Sequence, residues 1–93
     1  IMRKSRRSKI RIMVDIMRVL QMSSGAKITQ IMCEANMPYD RLLKYLEELK
    51  SRGLIVERKI EDHTLYYLTK KGFDFLSEFK KIERFAEAFG IEL

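Results

Sequence analysis

The side chains best placed for chemistry with a partner lie in PYDRLLKYLEELKSRG, residues 38–53. Leu42, Leu46 and Leu49 recur at i, i+4 and i+7, the buried stripe of one helix. With that stripe inward, Asp40, Arg41, Lys44 and Glu47 point outward. Tyr39 stands at the exposed N-terminal end and Tyr45 on a flank. A guanidinium presents paired N–H donors to a guanine edge or a phosphate, and an ammonium presents a point charge. Tyr39 can donate to a phosphate oxygen or stack on a sugar. Asp40 suits the positive start of a helix but repels phosphate. It can accept from a cytosine amino group, or pair with Lys44 at i+4. The plainer reading of this face is a solvated surface laced by Asp40–Lys44, Lys44–Glu48 and Glu48–Arg52 pairs. Glu47 and Glu48 confine anion contacts to the first two turns.

A second basic feature is the start of the chain. Arg3, Lys4, Arg6, Arg7, Lys9 and Arg11 occur with no acid among residues 1–11, and they account for the whole net charge of +6. Such an arm before a formally neutral remainder points to a polyanion, or is simply a solubilising start. Further on, Arg58 and Lys59 are diluted by Glu57, Glu61 and Asp62. They read equally as a phosphate grip and as an ordinary solvated hairpin.

Signatures of catalysis are missing. The four glycines, Gly25, Gly53, Gly72 and Gly90, lie too far apart to cradle a phosphate. His63 has no Cys or His neighbour for a metal and no nucleophile to serve, and reads as an exposed turn residue. Cys33 is a lone cysteine, which excludes an internal disulfide and reads as a small semi-buried residue. The expectation is a non-enzyme with no cofactor and no metal. No apolar run is long enough for a membrane span, and Asp15 and Arg18 interrupt the stretch that a secretory signal would need. The expected location is the cytoplasm, associated with the nucleoid.

These side chains need a scaffold. Ile10, Met13, Val14, Met17 and Leu20, with Ile16 beside them, predict a first helix from Ser8 to about Met22, with Gly25 as its left-handed stop. Ala26 to Ile28 is a bridge or a one-pair strand. Thr29 is the expected N-cap of a second helix reaching Glu34 or Ala35, with Ile28, Ile31, Met32 and Ala35 inward. Asn36, Met37 and Pro38 form a turn. The third helix runs from Pro38 or Tyr39 to Arg52, and Gly53 stops it. The period then changes. Leu54–Ile60 and Leu65–Thr69 are β-prone and flank a polar tip, Glu61 to Thr64. A last helix, Lys70 to Phe89, carries a heptad-like seam of Phe75, Phe79, Ile82, Ala86 and Phe89, extended by Leu76 and Phe85. That seam either pairs with a second copy or folds back on its own domain.

The 93 residues make one domain, with residues 1–7 as the basic arm and 70–89 as a dimerisation helix. Its fold class is mainly α with a β-hairpin wing. Helix, helix, short turn, helix, hairpin, helix is the order of a winged helix-turn-helix with an added C-terminal helix.

The string GAKITQIMCEANMPYDRLLKYLEELKSRGLI, Gly25 to Ile55, resembles small archaeal winged-helix DNA-binding proteins, classed as predicted transcription regulators or chromatin-associated proteins. YYLTKKGFDFL, Tyr66 to Leu76, is similar to their second wing strand and the start of their final helix. The likeness covers residues 8–80, and its most specific part is ANMPYDRLLKYLEEL and SRGLI followed by LTKKG. It implies a homodimer joined by antiparallel terminal helices, with double-stranded DNA as partner. Carried over by position, the DNA contacts would come from Tyr39, Asp40, Arg41, Lys44 and Tyr45. Thr29 and Gln30 would serve at the start of the second helix, and Arg58 and Lys59 in the wing. On charge alone, Lys27 and the arm residues Arg6, Arg7 and Lys9 join them as phosphate contacts. Pro38 departs from the pattern, because a serine is expected there to cap the third helix. The turn must then be closed otherwise, by Asp40 or Asn36. Three functions follow: a regulator reading a limited set of sites, an architectural protein with little sequence preference, and a protein–protein adaptor that uses the apolar last helix.

Overall fold

The computed structural model describes residues 7–93, so Arg6 and the arm before it lie outside the described residues. The elements are α1 (Lys9–Gln21), α2 (Ile28–Glu34), α3 (Tyr39–Ser51), β1 (Ile55–Ile60), β2 (His63–Leu68) and α4 (Lys70–Ala88). The two strands pair antiparallel, with Ile55 opposite Leu68 and Ile60 opposite His63. This is the winged helix-turn-helix with a C-terminal helix.

The hub is α1. Ser8 caps it by accepting from the Arg11 N–H at 3.1 Å. Ile12, Met13, Val14, Ile16, Met17, Val19 and Leu20 are all buried, because α2, β2 and α4 pack around more than one side of the helix. The apolar set is therefore broader than a single stripe, and Ile10, expected inside, is 44% exposed at the free end. The core closes over α1 with Ile31, Leu42, Leu46, Leu49, Leu54, Tyr66, Leu76 and Phe79.

Three helix ends use one device. Asn36, Gly53 and Gly90 all take left-handed φ, of 54°, 74° and 73°. In each, the next N–H reaches back to a carbonyl five residues earlier: Met37 to Met32 at 3.0 Å, Leu54 to Leu49 at 3.0 Å, and Ile91 to Ala86 at 2.9 Å. This pattern satisfies carbonyls that a helix end leaves open. Asn36 therefore closes the turn through its backbone, and Pro38 precedes α3 with no side-chain cap at all.

Two expected end residues, Gly25 and Thr29, play other parts. α1 stops at Met22, and Gly25, with φ of 104°, instead bends the following loop toward β2. A Cβ on Gly25 would come within 2.7 Å of the Tyr67 ring. The loop then places Ala26 in a single bridge with Tyr66, at 3.0 and 2.9 Å. α2 begins two residues earlier than expected, with Lys27 at the cap position and no side-chain cap, so Thr29 lies inside the helix. The hairpin is also tighter than expected. His63 and Thr64 belong to β2, and the tip is Glu61 and Asp62, with Glu61 at φ of 57°.

The blocks SRGLI and LTKKG touch. Thr69 Oγ1 accepts from the Gly72 N–H at 3.1 Å, capping α4, and donates to the Gly53 carbonyl at 2.7 Å. Lys71 Nζ donates to the Arg52 carbonyl at 2.8 Å. A Cβ on Gly72 would sit 2.3 Å from the Leu54 carbonyl oxygen and 2.5 Å from Leu68 Cδ1. One junction thus ends α3, anchors the wing and starts α4.

Candidate nucleic-acid interface

α3 buries Leu42, Leu46 and Leu49 and turns Asp40, Arg41, Lys44 and Glu47 to solvent, as its wheel predicts. Tyr39 is 49% exposed at the start, and Tyr45 is half-buried on the side facing the beginning of α1. Arg41, Lys44 and Tyr45 line an open groove with Lys9 and Glu48. The chain therefore enters α1 beside the first two turns of α3.

Ion pairing sorts the cations around this face. Lys9 Nζ and Arg52 Nη2 both reach Glu48 Oε2, at 3.0 and 2.8 Å. Their hydrogen bonds, Lys9 first and Arg52 second, hold the Glu48 carboxyl below the usual carboxylate range. Lys50 bridges Glu47 at 3.0 Å and Glu57 of β1 at 2.6 Å. Those bonds, Glu57 foremost, raise the Lys50 ammonium well above its ordinary value. Both acids expected to repel an anion from the end of α3 are thus countered locally. Of the i+4 pairs expected along the helix, Glu48–Arg52 forms, while Asp40, Arg41 and Lys44 have no ion-pair partner among the described residues.

The wing and α2 complete the face. Lys59 shares the strand face of Ile55 and Glu57, which is the α3 side, and Arg58 points to the other face. Both are exposed and without an acidic partner among the described residues. Lys27 and Thr29 are exposed at the start of α2. The N–H groups of Gln30 and Ile31 already bond the Lys27 carbonyl at 3.0 and 3.1 Å, and the Gln30 side chain donates to Glu34 at 3.3 Å. Gln30 is thus engaged within its own helix.

Arg7 differs from the expectation most. Its Nη1 donates to Asp15 Oδ2 at 2.9 Å and to the Ala35 carbonyl at 2.8 Å. Its Nη2 donates to the Asn36 carbonyl at 2.9 Å and lies 3.4 Å from Met37 Sδ. The guanidinium thus brackets the turn between α2 and α3, and four of its donors are spent inside the chain. Arg11 and Arg18, seven residues apart on α1, close on the two oxygens of Glu83 at 2.8 and 2.7 Å. Arg11 also lies 5.4 Å from the centre of the Phe79 ring. No local pattern links Glu83 to α1, since the partners are distant in sequence.

The apolar seam of α4 divides. Phe79 and Ala86 are buried within the chain, at 4% and 7% exposure, and Phe75 is half-buried with its ring stacked 6.3 Å from that of Phe79. Ile82, Phe85 and Phe89 remain 53%, 68% and 68% exposed. Cys33 is exposed, not semi-buried. Among the described residues no helix is long and apolar enough to cross a membrane, and no group of three or more His, Cys, Asp or Glu could hold a metal ion.

Comparison with known proteins agrees with this geometry. The DNA-binding protein Sso10a-2 from Sulfolobus solfataricus superposes with a TM-score of 0.78 at 25% identity, over 89% of this chain and 85% of that one. A MarR family transcription regulator gives 0.67 at 25% identity, over 85% of this chain and 58% of its own. BpsR of Bordetella bronchiseptica, whose DNA binding is regulated by 6-hydroxynicotinic acid, shares the fold at 0.69 and 16% identity, over 72% of this chain and 50% of its own. No curated protein matches by sequence. The family model described as winged helix-turn-helix matches residues 6–87, and the chain belongs to that family.

Proposed function

We propose that the protein binds double-stranded DNA as a homodimer and regulates transcription, reading a limited set of sites with the first two turns of α3. The observation that carries this reading is the sorting of cations on α1 to β2. Those on α1 and on the C-terminal half of α3 are tied to acids, whereas Lys27, Arg41, Lys44, Arg58 and Lys59 are exposed and without an acidic partner among the described residues. They lie at the start of α2, the start of α3 and the wing, the three places from which this architecture meets a duplex. The other exposed cations without an acidic partner among the described residues, Lys71, Lys80 and Arg84, all belong to α4. A major groove about 12 Å wide admits one helix, so α3 enters and its N-terminal residues reach base edges. Arg41 and Lys44 contact guanine or phosphate, Tyr39 and Tyr45 contact the sugar–phosphate chain, and Asp40 accepts from cytosine. Lys9 joins them easily, because its bridge to Glu48 is a surface pair of small worth. Arg7 supports this face by holding the α2–α3 turn.

The dimer is formed through α4, by the exposed strip Ile82, Phe85 and Phe89, with Phe75, Phe79 and Ala86 backing it from within. The Phe85 and Phe89 rings already lie 5.2 Å apart, and a strip of this size left in water is costly. Two α3 helices then occupy successive major grooves about 34 Å apart. A DNA partner places the protein on the nucleoid. Sso10a-2, described as DNA-binding, and the MarR family regulator support the reading.

A second reading is architectural. The outward face of α3 offers few side chains to base edges, and two of them, Asp40 and Glu47, are acids. Selection from a random pool of duplex DNA at about physiological salt separates the cases. An enriched, near-palindromic motif is expected. Binding without enrichment points to the architectural role. No binding sinks both and leaves a protein–protein adaptor.

A further inference from the structure

Glu83 does more than join two helices. Arg11 and Arg18 are seven residues apart on α1, about 10.5 Å along its axis, and both close on this one carboxylate. Moving α4 along α1 in either direction lengthens one bridge as it shortens the other. The two bridges therefore fix a position, where one bridge would fix only a distance. The carboxylate is only 20% exposed, and the arginines are 22% and 36% exposed, so these bonds lie in the helix–helix crevice and are screened less than surface pairs. Arg11 is held further by the Phe79 ring beneath it and by its contact with the Leu93 carbonyl at 3.4 Å.

The position of this clamp on α4 matters. The N-terminal part of α4 is fixed by the junction of Thr69, Lys71 and Gly72 with the end of α3. Among the described residues, Glu83 makes the ion pairs that tie the distal half of α4 to α1, with buried Ala86 and the longer Leu93 carbonyl contact beyond it, and that half carries Ile82, Phe85 and Phe89. We propose that Glu83 is a positioning residue: by locking the crossing point of α4 on α1, it sets the direction in which the exposed apolar strip projects relative to α3. In a dimer joined through that strip, the clamp sets the separation and tilt of the two α3 helices. This consequence for DNA rests on the homodimer reading above, whereas the clamp itself acts within one chain.

The test separates the two. A pair of spin labels is placed in the full chain at exposed positions, Ser51→Cys on α3 and Ala88→Cys on α4, in a Cys33→Ser background. Labelled chain is diluted into excess unlabelled chain, so that only distances within one copy are read. The parent gives one narrow distance distribution. Glu83→Gln broadens it at least twofold with helix content unchanged, Arg18→Gln broadens it less, and Glu83→Asp, whose shorter carboxylate reaches one arginine, gives an intermediate width. A Glu83→Gln distribution as narrow as the parent's overturns the proposal, even if the variant melts earlier, because a purely stabilising pair would change melting without changing the distance. If Glu83→Gln does not fold, the milder Arg18→Gln decides by the same criterion. Sedimentation of the same samples, with binding to a mixed-sequence duplex, reports separately on the homodimer and DNA reading.

Discussion

Replacing Arg41 and Lys44 together with Ala tests the interface through its salt dependence. Lys27, Arg41, Lys44, Arg58 and Lys59 are the exposed cations of the face that lack an acidic partner among the described residues. If the proposed dimer uses these five on each copy, it neutralises about ten phosphates, and the slope of log K against log salt is about −9. A rise from about 50 to 200 mM salt then weakens binding by about 10⁵. The double variant removes about four of those contacts, its slope falls to about −5, and the same rise weakens binding by about 10³. Fluorescence anisotropy of a labelled mixed-sequence duplex, titrated at several salt concentrations, reads both slopes. Arg7→Ala provides the contrast. Arg7 is bound to Asp15 and to two turn carbonyls, so its loss lowers stability and leaves the slope of the folded protein near the parent's. The reasoning fails if the double variant keeps the parent's slope, or if Arg7→Ala lowers the slope as much as the double variant does.

Other consequences concern the scaffold. Gly72→Ala drives a methyl group into the Leu54 carbonyl and Leu68, and since a backbone atom cannot step aside cheaply, unfolding in urea should show a loss near the upper end of the roughly 1–3 kcal/mol typical of overpacking. Thr69→Ala removes the α4 cap and the bond to the Gly53 carbonyl and should cost about 1–2 kcal/mol, with Thr69→Ser recovering most of it; equal stability of all three would refute the junction's role. The Glu83 carboxyl is held below its ordinary value of 4.5, chiefly by the Arg18 hydrogen bond and then by that of Arg11, against partial burial that raises it. Its folded form is thus the more acidic, so its contribution is fully present above pH 4.5 and is lost as pH falls through the folded value. Melting temperature against pH should therefore fall less steeply for Glu83→Gln than for the parent below pH 4.5, with parallel curves above it.

Local signals in the sequence located most of the scaffold. The Leu42, Leu46, Leu49 stripe, the stop at Gly53 and the change of period after it each depend on neighbours within a few residues, and each stands where expected. Misplacements occurred where tertiary contact overrides local preference. Thr29 is a good cap by type, yet the cap position falls two residues earlier, at Lys27, whose carbonyl accepts from Gln30 and Ile31. Gly25 looked like a helix stop because glycine permits positive φ, but the constraint on it is the Tyr67 ring, which no sequence spacing reveals. Phe79 and Ala86 fall on the same heptad as Ile82 and Phe89. Periodicity alone could not divide the seam between α1 and solvent.

The choice of ion-pair partners was the least legible feature, and it bears most on function. Surface pairs are individually weak, so spacing along one helix says little about which of several cations an acid will meet once the chain is folded. Glu48 met Lys9 and Arg52, Glu47 met Lys50, Asp15 met Arg7, and Glu83 met two arginines at once. Taken by itself, formal neutrality outside the basic arm speaks against a polyanion partner for the folded part, since a basic footprint usually marks one. That argument treats charge as if it were spread evenly. A phosphate near α3 responds to charges within about a Debye length of 8–10 Å, and in that neighbourhood Glu47 and Glu48 are already matched, leaving Arg41 and Lys44 opposed by Asp40 alone on the outward face. Internal pairing thus concentrates positive potential on the start of α3 without any excess of basic residues beyond residue 11. Asp40→Asn should accordingly strengthen duplex binding and, because a carboxylate that accepts from cytosine is lost, relax base preference at one position; weaker binding with unchanged preference would show that Asp40 serves the helix start and not the DNA.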